Sequence, residues 1–268
     1  VRDSTLSESV FNQCLLIGSD FTRSQLDKTQ FMRCELQHSG FEGTTVENST
    51  FFETPLDNAT FSHCTLLQGV FYAVDLRTTL LTQAQFERVV FFNCDQRGKD
   101  YSQQQFSGCQ FMDNRLDGVI FNVAGLTQCN FRGASLKQAQ LNGVNASQAL
   151  FIEADISGAI CRGSLFDQAI FLNAKLNQTD FSQSRCYQTI FHKAQAQQVI
   201  FAQSNLTYAD FTGADLSHAD LRQAHFLRTR MHRARQDNAR FSSRQGIIEY
   251  DEEQLAAEAW SLKRHSRH

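Results

Sequence analysis

A five-residue period runs through most of this chain. Of the 48 positions from 6 to 241 that lie five residues apart, 22 are Phe and 16 are Leu. The positions two residues before them are small, and 45 of 48 are Ala, Ser, Thr, Cys, Val or Gly. This period fits neither an α-helix, with 3.6 residues per turn, nor a β-strand, with a period of two. Successive residues five apart would turn by about 140° on a helix, so the apolar set would surround it.

The period therefore predicts a chain that bends every five residues and turns one large and one small side chain inward at each step. Ten of the 14 glycines lie two residues after the large position, for example Gly118 and Gly133, where a bend with positive φ is easiest for glycine. A single coil of this kind has no core, and stacking closes it. Burial of each Phe or Leu contributes roughly 1.5–3 kcal/mol.

Three consecutive five-residue units carry a family resemblance: Ala209-Asp210-Phe211-Thr212-Gly213, Ala214-Asp215-Leu216-Ser217-His218 and Ala219-Asp220-Leu221. They resemble the repeats of the pentapeptide-repeat family, and the similarity extends over about residues 4–241. The resemblance implies an all-β solenoid, a right-handed quadrilateral parallel β-helix with four repeats per coil. The 48 repeats then give about 12 coils. Leu and Phe alternate from Leu6 to Leu76 apart from Val46, which places Phe on two opposite faces.

Two regions follow from where the period stops. Residues 1–245 are predicted to form the β-helix, and residues 246–268 a short C-terminal α-helix with a basic tail. Asp251 is suited to begin this helix, and Leu255, Trp260 and Leu262 lie on its apolar side. The helix is expected either to cover the open edge of the last coil or to form a homodimer through these side chains.

The period weakens at residues 95–105. Gln96 and Tyr101 occupy large positions there, and Lys99 and Gln104 occupy small ones, where polar side chains without partners are costly. The phase returns unchanged at Phe106. The segment is predicted to be an outward loop or a coil with one corner expelled. As a recognition loop it would bind a partner through Arg97, Lys99, Asp100 and Tyr101; the alternative is a local bulge without a partner.

The eight cysteines fit the core better than a chemical site. Six lie at small inward positions and two at large ones, and no C-x-x-C pair occurs. No metal, cofactor or catalytic residue is predicted, the histidines lie at outward positions, and no sequence motif of a known active site is present. The chain is therefore expected not to be an enzyme. The unpaired thiols favour a cytoplasmic, reducing compartment. The sequence contains neither an 18-residue apolar window nor a signal peptide, and it begins at Val1, which suggests a fragment of a longer protein or a processed chain.

Two functions are weighed. The first is a non-catalytic protein-binding scaffold or accessory domain; the resemblance implies a bacterial protein, and places some members in larger secretion-associated proteins such as effectors or type VI secretion adaptors. The second is a DNA mimic that binds a type II topoisomerase such as DNA gyrase, as the quinolone-resistance members of the family do; this resemblance implies an acidic rod. Residues 1–221 carry a net charge of −7 and residues 222–268 of +4. One face mixes acidic Glu35 with basic Arg115 and Arg235, which fits a DNA mimic poorly. No direct contact with nucleic acid or membrane is predicted.

Overall fold

The chain folds as a right-handed, four-sided parallel β-solenoid of about 12 coils. The structure is a computed structural model, which describes residues 1–252, 255–257, 259 and 260. Inter-coil pairs join residues 20 apart, as in Leu6 with Leu26 and Phe31 with Phe51, except at the C-terminal end, where Thr229 pairs with Ile247, 18 residues later. Four five-residue steps therefore complete one coil, as the sequence predicts.

Short strands form on two adjacent faces of the first five coils, and single bridges continue the ladders further along. One sheet has the order β1-β3-β5-β7-β9 and the next face has β10-β8-β6-β4-β2. The strands are β1 Thr5–Ser7, β2 Val10–Asn12, β3 Gln25–Asp27, β4 Gln30–Met32, β5 Thr45–Glu47, β6 Thr50–Phe52, β7 Thr65–Leu67, β8 Val70–Tyr72, β9 Gln85–Glu87, β10 Val90–Phe92, β11 Asp220–Leu221, β12 Thr229–Arg230, β13 Arg240–Phe241 and β14 Ile247–Ile248.

A column of stacked phenylalanine rings occupies the core. Every twentieth residue from Phe11 to Phe211 is Phe, and successive ring centroids lie 4.7–5.3 Å apart. Rings from the opposite face meet this column edge-on, as in Phe21 against Phe31 at 5.6 Å and 84°. Both arrangements suit the quadrupole of the aromatic ring. The predicted placement of Phe on two opposite faces is confirmed in the first coils.

Side chains at the small inward positions form hydrogen bonds as well as filling space. The Thr44 hydroxyl donates to the Phe21 carbonyl at 2.7 Å, and the Thr79 hydroxyl donates to the Leu56 carbonyl at 2.9 Å. Each bond joins a small residue to the large residue 23 positions earlier. Thr and Ser therefore satisfy buried carbonyl groups there, which size alone does not predict.

The corners of the coils adopt positive φ, mostly without glycine. Gln128, Gln148 and Gln168 have φ of 59–60° at the corner position. Their side chains form a ladder, with Gln128 Nε2 donating to Gln148 Oε1 at 2.8 Å and Gln148 to Gln168 at 2.9 Å. A left-handed conformation costs an L-residue about 1–2 kcal/mol, which such ladders and the stacked core offset.

The predicted outward loop at residues 95–105 is wrong, because the segment continues the solenoid in register. Asp95 bridges to Arg115 and Asp100 to Ile120, and both Gln96 and Tyr101 are fully buried. The Tyr101 hydroxyl donates to Gln96 Oε1 at 2.6 Å. Two polar side chains at large positions thus share a hydrogen bond inside the core, while the buried Nε2 of Gln96 has no hydrogen-bond partner among the described residues.

The winding continues past the end of the five-residue period, so that chain in extended form covers the last full coil. β13 pairs with β11 and β14 with β12, and Ile247 packs against the core. The chain turns at Gly246, whose φ is 89°. Helical residues follow at 252, 255–257 and 259–260, and all of these are exposed. In the described part, the helix does not bury Leu255 or Trp260 as the predicted cap would.

Two further predictions concern residues at the C-terminal end of the solenoid. His232 was expected at the surface but is buried, because the chain that follows β14 covers it. The Asp251 amide donates a hydrogen bond to His232 Nδ1 at 3.2 Å. Leu262, predicted to take part in capping or dimerisation, lies outside the described residues.

Candidate functional site

The residues predicted to bind a partner at 95–105 do not form one exposed site. Tyr101 is buried, and Arg97 is half-buried in a 2.7 Å ion pair with Asp95. Asp100 is exposed and accepts hydrogen bonds from the amide and hydroxyl of Ser102. The half-buried Lys99 amine donates to the carbonyl oxygen of Thr79. Only Asp100 of the four therefore resembles a recognition residue.

Lys99 and Gln104 instead open the joint between two coils, residues 76–95 and 96–115. Elsewhere the N–H at a large position donates to the carbonyl 19 residues later, as Phe61 does to Leu80 at 2.7 Å. Within the described chain, this bond or its counterpart is missing on two faces of the joint, at the N–H groups of Leu81, Gln83, Phe86, Arg88, Asp100 and Gln105. It is also missing at Thr78 on a third face, and earlier in the chain at Leu56 and Asp75. On the face of Phe91 the ladder is intact, with the Phe91 N–H bonded to the Gln110 carbonyl at 2.7 Å.

The long side chains at the two small positions account for this open joint. The Lys99 amine donates to the carbonyl oxygen of Thr79, the acceptor that the Asp100 N–H would otherwise use. Gln104 Nε2 lies 3.5 Å from the Leu81 carbonyl. By contrast Asn114, the third residue that departs from the small set at these positions, is shorter and fits. It accepts a hydrogen bond from the Cys94 N–H at 2.5 Å and donates one to the Phe91 carbonyl at 3.0 Å.

A surface cavity of about 690 Å³ lies over the open joint. Phe86 and Ala84 form part of its floor, and neutral amides and hydroxyls line it, including Gln83, Gln85 and Ser102. The unpaired backbone groups of the joint require a polar environment, since leaving them dry costs about 1–3 kcal/mol each. The cavity gives those groups access to solvent.

Acidic residues on the described surface are widely matched by arginines. Asp95 lies within 4 Å of three of them: Arg97 at 2.7 Å, Arg115 at 3.2 Å and Arg77 at 3.6 Å. Asp220 pairs with Arg222 at 2.7 Å and with Arg240 at 3.1 Å, and the hydrogen bond from Arg222 lowers the pKa of this carboxyl. These carboxylates do not produce the uninterrupted acidic face that a duplex mimic needs.

One outer face of the rod, here called the outer apolar face, carries mostly apolar side chains. It carries the outward side chains on either side of the inward phenylalanine column, over eight consecutive coils. Strand alternation directs these side chains to the outside. Eleven of the sixteen are apolar and one, Arg132, is charged: Gln30, Met32, Thr50, Phe52, Val70, Tyr72, Val90, Phe92, Gln110, Met112, Asn130, Arg132, Leu150, Ile152, Ile170 and Leu172.

Three rings stack on the outside at the centre of this face. The Phe52 and Tyr72 centroids are 4.7 Å apart, and those of Tyr72 and Phe92 5.4 Å apart. Arg33 lies at the edge, with its guanidinium 5.6 Å from the Phe52 centroid and 2.7 Å from a Glu53 oxygen. An apolar centre with a charged rim is typical of a protein-binding surface.

Sequence reasoning missed this face although a signal was present. Phe52 and Phe92 are the two phenylalanines that depart from the five-residue register. Each lies one residue after an inward Phe, so strand alternation alone places it outside. Tyr72 has the same position in the coil between them.

Two negative findings concern the described residues alone. No cluster of three or more His, Cys, Asp or Glu side chains among them could hold a metal ion. In that same part of the chain, no helix is both long and apolar enough to cross a lipid bilayer.

Solved structures similar to this chain are themselves pentapeptide repeat proteins. HetL, involved in heterocyst differentiation regulation in the cyanobacterium Nostoc, is 17% identical over 92% of this chain and 90% of its own, with a TM-score of 0.36. QnrB1, a plasmid-mediated fluoroquinolone resistance protein, is 16% identical over 81% of this chain and 99% of its own, with a TM-score of 0.32. A thylakoid-lumen protein of Arabidopsis thaliana is 24% identical over 46% and 68%, with a TM-score of 0.21.

The search of curated proteins found no match. The family model described as pentapeptide repeats matches eight copies, over residues 2–37, 109–145, 129–168, 147–183, 169–207 and 204–242. These ranges cover more than half of the chain, and they follow the coils of the solenoid. The chain belongs to the pentapeptide repeat family.

Proposed function

We propose that this chain is a non-catalytic protein-binding scaffold and that it holds its partner on the outer apolar face. The observation that carries the proposal is the exterior stack of Phe52, Tyr72 and Phe92 within a face that has a single charged side chain. Extended apolar patches on soluble proteins typically mark interaction sites. Aromatic side chains contribute most strongly to such interfaces.

The construction of the rod supports a scaffold. Stacked rings fill its axis, so the outside is available for recognition, and the ladders that join the coils hold the outer columns at a fixed spacing of about 4.8 Å. A partner therefore meets a preorganised surface, which lowers the entropic cost of binding.

Compartment and context extend the proposal. Seven of the eight free cysteines are buried and Cys14 is half-buried, which is compatible with the reducing bacterial cytoplasm. The accessory-domain form, in which this scaffold is part of a larger secretion-associated protein, rests on the family resemblance alone.

The gyrase-binding alternative has less support. It calls for an acidic surface that imitates the phosphate spacing of DNA, whereas Asp95 and Asp220 are each surrounded by arginines. Inhibition of gyrase supercoiling by the purified chain would favour that alternative.

The scaffold proposal is tested by removing the exterior rings. A variant with Phe52→Ser, Tyr72→Ser and Phe92→Ser is compared with a control in which Leu67, outside on the neighbouring face, is changed to Ser. Tagged chains are isolated from the host cell and their bound polypeptides are quantified. We expect the triple variant alone to lose its bound polypeptides while keeping the circular dichroism spectrum of the wild type. Equal retention by both variants would contradict the proposal.

A further inference from the structure

We infer that the outer apolar face binds a second copy of this chain, so that two rods lie side by side about a two-fold axis parallel to their length. This inference rests on the proposed function and names the partner. Three observations support it: the size and order of the outward side chains, the repeat along the rod, and the fact that no like charges would face each other within the face.

In its three central coils the face consists of two columns of unequal size, whereas Leu150 with Ile152 and Ile170 with Leu172 are of equal size. One column holds the large side chains of Phe52, Tyr72 and Phe92, and the other holds Thr50, Val70 and Val90 at the same heights. The large column forms a ridge and the small column forms a shallow groove beside it.

A two-fold axis parallel to the rods makes this pattern self-complementary. Rotation about it brings the large column of each copy over the small column of the other, at equal height. Tyr72 of one copy then lies over Val70 of the other, and the interface is isologous. An antiparallel pair would instead place ridge against ridge.

The repeat restricts what else matches the whole face. Its columns are spaced at the inter-coil distance of about 4.8 Å over seven steps, or about 34 Å. A surface with the same spacing stays in register along this length, and a second copy has that spacing by construction.

Charge also favours pairing of identical faces. Arg132 is the one charged side chain, and the rotation places it over Asn130 of the other copy rather than over another arginine. Further along the same columns come Ile190 and His192, and then Asp210 and Arg230. The dimer would therefore bury no like-charged pair within the face.

Sedimentation equilibrium of the purified full chain tests the inference. We expect a mass about twice 30.4 kDa for the wild type, and at least a 100-fold weaker dimer for Tyr72→Glu, because its carboxylate would be buried unpaired. Tyr187→Glu, on the neighbouring face, is the matched control and should remain dimeric. All variants should retain the wild-type circular dichroism spectrum.

Mixing two variants tests the direction of the rods. Val70→Lys and Tyr72→Glu should each weaken the dimer alone, and an equimolar mixture should form a heterodimer, since the two introduced charges then face each other. A monomeric wild type, a dimer insensitive to Tyr72→Glu, or a dimer dissociated instead by Trp260→Glu would overturn the inference. A monomeric wild type that still loses bound polypeptides in the triple serine variant would leave the proposed function standing with a different partner.

Discussion

The hydroxyl group of Tyr101 lies 2.6 Å from Oε1 of Gln96, and both side chains are fully buried between stacked coils. This bond allows two polar residues to occupy positions that Phe and Leu hold elsewhere. It keeps the chain in register where its sequence departs from the repeat.

Removing the hydroxyl should therefore cost more than its size suggests. We expect Tyr101→Phe to lower the free energy of unfolding by about 1–3 kcal/mol, because Gln96 keeps a buried acceptor without a donor. Adding Gln96→Leu should recover most of this loss by restoring the ordinary apolar pair. Urea unfolding followed by circular dichroism measures both. A double variant as unstable as the single one would show that the bond is not the stabilising element.

Lys99→Ser should close part of the open joint. Without the lysine amine, the Thr79 carbonyl becomes available to the Asp100 N–H, and the new hydroxyl can reach the Leu76 carbonyl as other small residues do. Hydrogen exchange of the Asp100 amide should slow by at least about 10-fold. The amide of Ile120, which already bonds to the Lys99 carbonyl at 2.8 Å, is the internal control. Unchanged exchange at Asp100 would contradict the assignment.

The same lysine should produce a pH dependence. Burial lowers the pKa of Lys99, so the unfolded chain binds more protons than the folded one between the folded pKa and the ordinary value of about 10.4. Wild-type stability should therefore rise relative to Lys99→Ser as the pH increases through this window. The difference in unfolding free energy between the two proteins isolates the effect, and a constant difference would contradict it.

The buried thiols should make the solenoid sensitive to alkali. Burial raises the pKa values of Cys64, Cys94 and Cys109 to about 12, whereas unfolded thiols titrate near 8.5. Their contribution is complete below pH 8.5 and is lost as the pH rises towards 12, by about 1.4 kcal/mol per pH unit for each thiol. Cys109→Ala should reduce the slope of stability against pH between 9 and 11 by that amount. An unchanged slope would show that this thiol ionises in the folded state.

Gly246 should be essential to the cover of the last coil. A Cβ atom there would lie 2.2 Å from the carbonyl oxygen of Phe226, at a φ of 89°. Gly246→Ala should release β14 from β12. Hydrogen exchange should then accelerate at the amides of Thr229 and Met231, which bond to the carbonyls of Gly246 and Ile248. Gly118→Ala, with φ at 67° and nothing within 4 Å, is the control and should leave these two amides protected. Equal protection in both variants would contradict the role of Gly246.

The repeat predicts the fold because one physical pattern recurs in every coil. Leu26 and Phe31 each face the axis for the same reason as the residues 20 positions before and after them. At Lys99 and Gln104 the prediction had the right location and the wrong outcome. Sequence spacing does not show that Tyr101 bonds to Gln96 inside the core, nor that a lysine amine can reach the Thr79 carbonyl.

The candidate surface was harder to predict because the five-residue period marks only the positions that face the core. Phe52 and Phe92 looked like irregularities in that period. Their stack with Tyr72 appears only when the 20-residue coil length brings the three together in space. The structure of the C-terminal segment depends on Gly246, whose positive φ allows β14 to pair in parallel with β12 before the helix begins.

Photo-crosslinking in the host cell tests the central claim, that the outer apolar face is the protein-binding surface. A benzophenone amino acid replaces Phe52 in one chain and Tyr187, on the neighbouring face, in another. The account predicts covalent polypeptide adducts from position 52 and none above background from position 187. Adducts confined to position 187, or no adduct at position 52, would contradict it.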